Sequence, residues 1–126
     1  MERKKVFVVN KSSHDYSGAS SFGDLVFMTD GNLRRFSTSK MFRLFQQFIN
    51  KSSPYDYILL SGMTVMCVVA CSMFAAKHKR LNLLIYKPDP CEPSTYVERI
   101  VVMEGNNVLC KRSKKTGDED AEYESE

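Results

Sequence analysis

Two polar clusters in this 126-residue chain carry the side chains best suited to bind a ligand. The first runs from Asn10 to Asp15 (NKSSHD) and the second from Ser61 to Thr64 (SGMT), and each follows a short apolar segment. Phosphate groups bind to the free N–H groups at the start of a helix, and sugar hydroxyls bind to acceptors such as Asp15. The two clusters therefore favour a site for a small molecule that carries phosphate.

His14 and Asp15 raise an alternative, a small enzyme that hydrolyses a nucleotide signal with a nearby serine as nucleophile. Adjacent side chains rarely point at one reacting atom, and the chain has no G-x-S-x-G elbow and no recognisable second carboxylate. The phosphate-binding motifs G-x-G-x-x-G and G-x-x-x-x-G-K-[ST] are also absent. We therefore predict no catalytic residue, and the hydrolase remains the alternative.

The four cysteines do not indicate a metal site. Cys67 and Cys71 are four residues apart, no C-x-x-C pattern occurs, and the chain has only two histidines. We interpret these thiols as small core side chains, and we predict no metal and no cofactor. The N-terminal MERKK leads into a strand and not into an apolar signal segment, so we expect a reducing, cytoplasmic setting.

The net charge of +3 conceals an uneven distribution. The last nine residues, Asp118 to Glu126, hold six of the 15 acids, and without them 18 bases face nine acids, a net charge of +9. This balance favours an anionic partner. A nucleic-acid surface is a possible use of Arg34, Arg35, Lys40 and Arg43. The aromatic residues near them are spaced for a core face and not for base stacking, so nucleic acid is not predicted.

Apolar patterning predicts an α/β fold. We expect five strands, at 5–10, 24–29, 57–60, 81–86 and 96–103, and two helices, from about residue 37 to 50 and from about 63 to 77. Two successive strand-helix-strand passages predict a doubly wound, mostly parallel sheet with helices on both faces. We expect one domain at 1–107 and a charged, disordered tail at 108–126.

The uncharged stretch from Tyr57 to Ala76 admits a second interpretation, a membrane span. About 20 apolar residues can cross a bilayer, and a basic run follows this stretch. Four small or polar residues dilute it, however, and the flanking segments are too short to bury cores of their own. We interpret it as a buried strand that turns at Ser61 and Gly62 into a buried helix, with no membrane association.

The segments VFVVNKSSHDYSGASSFGDLVFMTDG, DYILLSG and RLNLLIY resemble a family of small phage proteins, the first type of Thoeris anti-defence protein. The resemblance extends from Lys5 to about Met103. It implies a Rossmann-like fold and a homo-oligomer in the host cytoplasm. It also implies a sponge that binds cyclic ADP-ribose isomers made by TIR-domain enzymes and holds them uncleaved, so that the defence effector is not triggered.

The resemblance also guides the choice of ligand-facing residues. It implies that Arg99 pairs with a pyrophosphate and that Tyr96 or Phe22 stacks on adenine. Asn82 is a lone polar residue in an apolar strand, which fits either a pocket or a satisfied edge position. The predicted ligand-binding residues are Asn10, Ser12, His14, Asp15, Phe22, Ser61, Gly62, Thr64, Asn82, Tyr96 and Arg99.

Overall fold

The computed structural model describes residues 3–31, 36–88, 91 and 95–112. Within these residues the chain forms one six-stranded sheet and two α-helices. The strands are β1 (Lys5–Val8), β2 (Asp24–Phe27), β3 (Tyr57–Leu59), β4 (Arg80–Tyr86), β5 (Tyr96–Glu104) and β6 (Asn107–Arg112). The α-helices are α1 (Thr38–Ile49) and α2 (Thr64–His78), and a short 3-10 helix covers Ser17–Ser21.

The sheet is mixed, so the predicted Rossmann-like, mostly parallel sheet is wrong. The strand order is β2-β1-β3-β4-β5-β6, in which the first four strands are parallel and β5 and β6 are antiparallel to their neighbours. The connection from β4 to β5 spans only residues 87–95, too short for a parallel crossover of a dozen or more residues. A two-residue turn with Gly105 at φ 59° then joins β5 to β6 as a hairpin.

Both α-helices pack on the same face of the sheet, so the prediction of helices on both faces is also wrong. One core joins α1 and α2 to Phe7 and Ile58. The opposite core contains Val8, Leu59 and Ala19 of the 3-10 helix. Right-handed crossovers explain this arrangement. The connections from β2 to β3 and from β3 to β4 cross the sheet in one direction, so both place their helices on the same face. The connection from β1 to β2 runs in the opposite direction and therefore covers the other face. The short polar β1–β2 connection forms no α-helix there.

Helix α1 buries one side and is held at its end by α2. Met41, Phe45 and Ile49 recur every four residues and are at most 3% exposed, as the predicted helical spacing requires. The Lys77 ammonium donates to the carbonyl oxygens of Ile49 at 2.9 Å and Asn50 at 2.6 Å. A cation is favourable at a helix C-terminus, so this contact fixes α2 against α1.

Helix α2 is the helix predicted within the uncharged stretch. Met66, Ala70 and Phe74 are fully buried, whereas Thr64 and Val68 are exposed. The helix ends at His78, and the next residue, Lys79, adopts the left-handed conformation with φ 61°. Among the described residues, no helix combines the length and apolarity that crossing a bilayer requires.

Residues 108–112, which we placed in the charged tail, form most of strand β6. The remainder of that predicted tail, 113–126, lies outside the described residues. The same is true of Arg34 and Arg35 in the basic cluster that we weighed as a nucleic-acid surface.

Candidate functional site

A cavity of about 410 Å³ opens at the carboxyl ends of the parallel strands. It lies between the ends of β1 and β3. The connection that follows β1 departs to one face of the sheet, and the connection that follows β3 departs to the other face. Ligands commonly bind at such a point in open α/β sheets. The lining residues are His14, Tyr16, Leu59, Leu60, Ser61, Gly62, Thr64, Cys67, Tyr86 and Tyr96.

The Tyr16 hydroxyl organises the polar side of the cavity. It accepts a hydrogen bond from the Ser12 N–H at 3.0 Å and lies 2.9 Å from the Ser61 hydroxyl. Ser61 in turn donates to the Asn10 carbonyl oxygen at 2.8 Å. Since the Tyr16 ring is only 7% exposed, this network holds the ends of β1 and β3 in a fixed relation.

Aromatic rings form the opposite wall. The Tyr86 and Tyr96 rings meet edge to face with centroids 5.7 Å apart, and His14 lies 6.4 Å from Tyr16 in a similar arrangement. The Tyr96 hydroxyl donates to the Asp15 carbonyl oxygen at 3.3 Å, which ties the wall to the first polar cluster. Such a wall offers flat apolar surface to a planar ring together with hydroxyl groups at its rim.

The start of α2 borders the same cavity. Gly62 has φ +99°, and a side chain there would place its Cβ 2.8 Å from the Cβ of Asn10. Met63 follows as N-cap residue without a side-chain cap in the described chain, and the Cys67 N–H makes a helical bond to its carbonyl oxygen at 3.2 Å. The preceding amides of the first turn are therefore not used by the helix itself, and the helix dipole makes this end favourable for an anion.

The structure brings five predicted site residues to the cavity wall: His14, Ser61, Gly62, Thr64 and Tyr96. Asn10, Ser12 and Asp15 lie behind the wall and support it. The Asp15 carboxylate accepts from the Ser17 N–H at 2.9 Å.

Three predicted residues do not line the cavity. Phe22 packs edge to face on Tyr57 with centroids 5.6 Å apart. Asn82 is 2% exposed and donates to two backbone carbonyl oxygens at 2.7 Å, so it has the satisfied position that we left open. Arg99 pairs in register with Leu83 in the middle of β4, about 10 Å along the strand from the cavity end.

Sequence reasoning missed five of the lining residues. Tyr16 directly follows the polar cluster, so its position in the sequence was a usable signal. Tyr86 is the register partner of Tyr96, a pairing that only the antiparallel β4–β5 ladder creates. Leu59, Leu60 and Cys67 were read as core side chains, and they contribute apolar surface.

The cavity has little cationic character of its own. No lysine or arginine occurs among the described residues that line it. Arg99, which the resemblance pairs with a pyrophosphate, is not among these lining residues. Nor do the described residues contain a group of three or more side chains suited to hold a metal ion. The binding of an anion would depend on the start of α2 and on the hydroxyl groups.

One protein-family model matches most of the chain. The model of a family described as phage Pam3 gp32-like protein matches residues 4–103. The chain belongs to this phage protein family. No curated protein and no solved structure matches it. The family match contains every lining residue of the cavity and ends within β5, so the cavity lies inside the family region of this phage protein.

Tyr96 gives the phage protein a defined response to alkaline pH. The pKa of Tyr96 is raised from 10.0 to about 12. Burial is the largest cause, and the electrostatic effect of the neighbouring Tyr16 is the second. Above pH 10 the unfolded chain loses a proton that the folded chain retains, so this contribution to stability is present below pH 10 and falls as the pH rises toward 12. In thermal melts, the advantage of wild type over Tyr96→Phe should shrink across this window. Tyr55→Phe is the control, because the Tyr55 side chain is exposed. If the melting temperatures of wild type and Tyr96→Phe changed in parallel with pH, the raised pKa of Tyr96 would be contradicted.

Proposed function

We propose that this phage protein binds a nucleotide-type signalling molecule in the cavity between the ends of β1 and β3 and the start of α2. The observation that carries the proposal is the meeting, in one cavity, of an aromatic wall and a helix start that no described side chain caps. The volume of about 410 Å³ is within the range of small-molecule sites.

The aromatic wall supports binding of the base. Tyr86 is 48% exposed and Tyr96 is 9% exposed, so Tyr86 presents most of the free ring surface beside a fixed partner. A planar base packed on such a ring gains apolar contact and a favourable ring–ring geometry. The hydroxyl of Ser61 and the ring of His14 supply polar contacts nearby for sugar oxygens.

The start of α2 supports binding of the phosphate. Gly62 allows the chain to approach closely before the helix, and Thr64 adds a hydroxyl at the cavity wall. Because the lining lacks arginine and lysine in the described chain, the amides of this first turn would meet most of the ligand's charge. Affinity would then depend less on salt than at a site lined by cationic side chains.

The proposal is for binding without cleavage. The Asp15 carboxylate bonds to the backbone of Ser17, and the His14 ring packs on Tyr16. Neither arrangement orients a nucleophile toward a bound phosphate. A sequestering protein needs tight ground-state binding, with no interactions reserved for a transition state.

In its specific form, the proposal makes the ligand a cyclic ADP-ribose isomer. The protein would then be a homo-oligomeric sponge in the host cytoplasm that blocks TIR-dependent Thoeris defence. The support for this form is the resemblance of the segments around Asn10 and Ser61, which are the segments that form the polar side of the cavity.

The test measures what the protein retains. Purified protein is mixed with cyclic ADP-ribose isomers, separated from free ligand by filtration, denatured by heat and analysed by liquid chromatography with mass spectrometry. Linear ADP-ribose serves as the ligand control. We expect the intact cyclic isomer in the released fraction. Release of a hydrolysed nucleotide would support the alternative enzyme acting through His14 and Asp15, and a protein that retains and changes nothing would refute the proposal.

A further inference from the structure

One exposed stripe of helix α2 is uncharged where a solvent-exposed face should be charged. Thr64, Val68, Ser72 and Ala76 recur every four residues along the exposed side of α2, and none carries a charge. Surface helices normally place charged and polar side chains on this side. Helix α2 therefore has the character of a helix that is covered on both sides.

Neighbouring apolar side chains extend this face. Phe36 is 87% exposed, Val68 is 56% exposed, and Phe42 on α1 is 46% exposed. Two concave regions lie among them, one of about 640 Å³ beside Phe36 and Val68 and one of about 460 Å³ between Phe42 and Met73. The face thus carries both projecting rings and grooves of a size to receive them.

We propose that this face, formed by Phe36, Phe42 and the exposed side of α2, binds a second copy of the same chain. In a two-fold dimer the same patch serves both partners, so a ring that projects from one copy must find a groove in the other. The face supplies both elements. The exposed stripe of α2 is uncharged, and Lys77, which lines the groove beside Phe42, directs its ammonium to the carbonyl oxygens at the end of α1. Two copies can therefore meet on this stripe without placing like charges together.

The exposed rings supply part of the area that a stable dimer needs. A phenylalanine ring side chain offers roughly 200 Å² of surface, so Phe36 and Phe42 together expose about 270 Å². That is about a third of the roughly 800 Å² per partner of a standard interface. Helix α2, about 22 Å long, and the adjoining grooves supply further surface on the same side.

The proposed interface also borders the ligand cavity. Thr64 lines both the ligand cavity and the groove beside Phe36. A second copy seated on the groove would therefore contact the first turn of α2 from its other side. The inference does not depend on the proposed ligand, because it rests on the helix layer alone, and its test contains no nucleotide.

The test compares two valines of similar exposure on different faces. Val68 on α2 is 56% exposed and Val108 on β6 is 61% exposed. We expect sedimentation velocity to show wild type at twice the chain mass of 14.4 kDa. Val68→Lys should raise the dimer dissociation constant roughly 100-fold or more, since it sets like charges against each other in an apolar interface. Val108→Lys should leave the dimer intact.

Phe42→Glu provides a second variant on the same face, and far-ultraviolet circular dichroism verifies that each variant is folded. If Val68→Lys loses its helical signal, Phe42→Glu carries the test. The inference is overturned if wild type sediments as a single chain. It is also overturned if folded Phe42→Glu and Val68→Lys remain dimeric, or if Val108→Lys alone dissociates, which would assign the interface to β6.

Discussion

Replacing Gly62 by alanine should lower the free energy of unfolding by about 2–4 kcal/mol and abolish ligand retention. Two costs combine. The backbone at φ +99° is strained for any residue with a side chain, and the new Cβ would lie 2.8 Å from the Cβ of Asn10. Because Asn10 accepts the hydrogen bond from Ser61, relief of the contact would separate the ends of β1 and β3 at the cavity.

Gly31→Ala is the matched control. Gly31 has nearly the same φ, +97°, but apart from its chain neighbours no atom of the described residues lies within 4 Å of the position its Cβ would occupy. This variant should show only the backbone cost, about 1–2 kcal/mol, and should retain ligand. Chemical denaturation measures the stabilities, and the retention assay measures binding. Equal losses in the two variants would show that the close approach of Gly62 to Asn10 has no role.

Replacing Ile58 by alanine should lower the free energy of unfolding by about 2–5 kcal/mol. Ile58 is fully buried in β3, the strand between β1 and β4, and it belongs to the core that both α-helices cover. The cavity left by its side chain cannot fill without moving the helices. Since domains of this kind are stable by about 5–15 kcal/mol, such a loss removes a large part of the total.

Ile85→Ala makes the same chemical change near the end of β4, where the side chain is 38% exposed. Its expected cost is below about 1 kcal/mol, because water already reaches the site. Denaturant unfolding of both variants compares their free energies of unfolding, provided that the dependence on denaturant concentration is the same in both. A loss for Ile58→Ala no larger than that for Ile85→Ala would place the core elsewhere than between the helices and β3.

The sequence was sufficient to locate most elements, because their hydrophobic periods are strong. The helical spacing of Met41, Leu44, Phe45 and Phe48 predicted α1, and the uncharged stretch after Gly62 predicted α2. Strand direction was not predictable in the same way. An apolar strand such as β5 reads alike in parallel and antiparallel pairing, and only the short connection before it distinguishes the two.

The sheet edge and the face of each helix were also difficult to predict. Strand β6 carries Lys111 and is exposed, so its composition resembled the charged segment that follows it. The prediction of helices on both faces followed from the doubly wound sheet that two successive strand-helix-strand passages indicated. The polar segment between β1 and β2 instead covers its face with Tyr16, Ala19 and a 3-10 helix.

The residues of the candidate site also differ in how far the sequence could place them. Some positions follow from the local pattern, and others depend on how distant strands pair. His14 and Ser61 were predictable because polar residues at the ends of parallel strands share one edge of the sheet. Arg99 and Asn82 do not line the cavity, because their distance from that edge depends on the register of β4 and β5. The pairing of Tyr86 with Tyr96 depends on that same register, so the aromatic wall was only half predicted.

Protection of Cys67 from alkylation tests the central claim most directly. Cys67 lines the cavity, and burial raises the pKa of its thiol, so labelling with iodoacetamide is best followed at about pH 9. Cys91 and Cys110 are exposed and act as internal controls in the same protein. We predict that a retained cyclic ADP-ribose isomer slows labelling of Cys67 and leaves both controls unchanged. Unaltered labelling of Cys67 in the presence of retained ligand would contradict the account, because it would place the nucleotide outside this cavity.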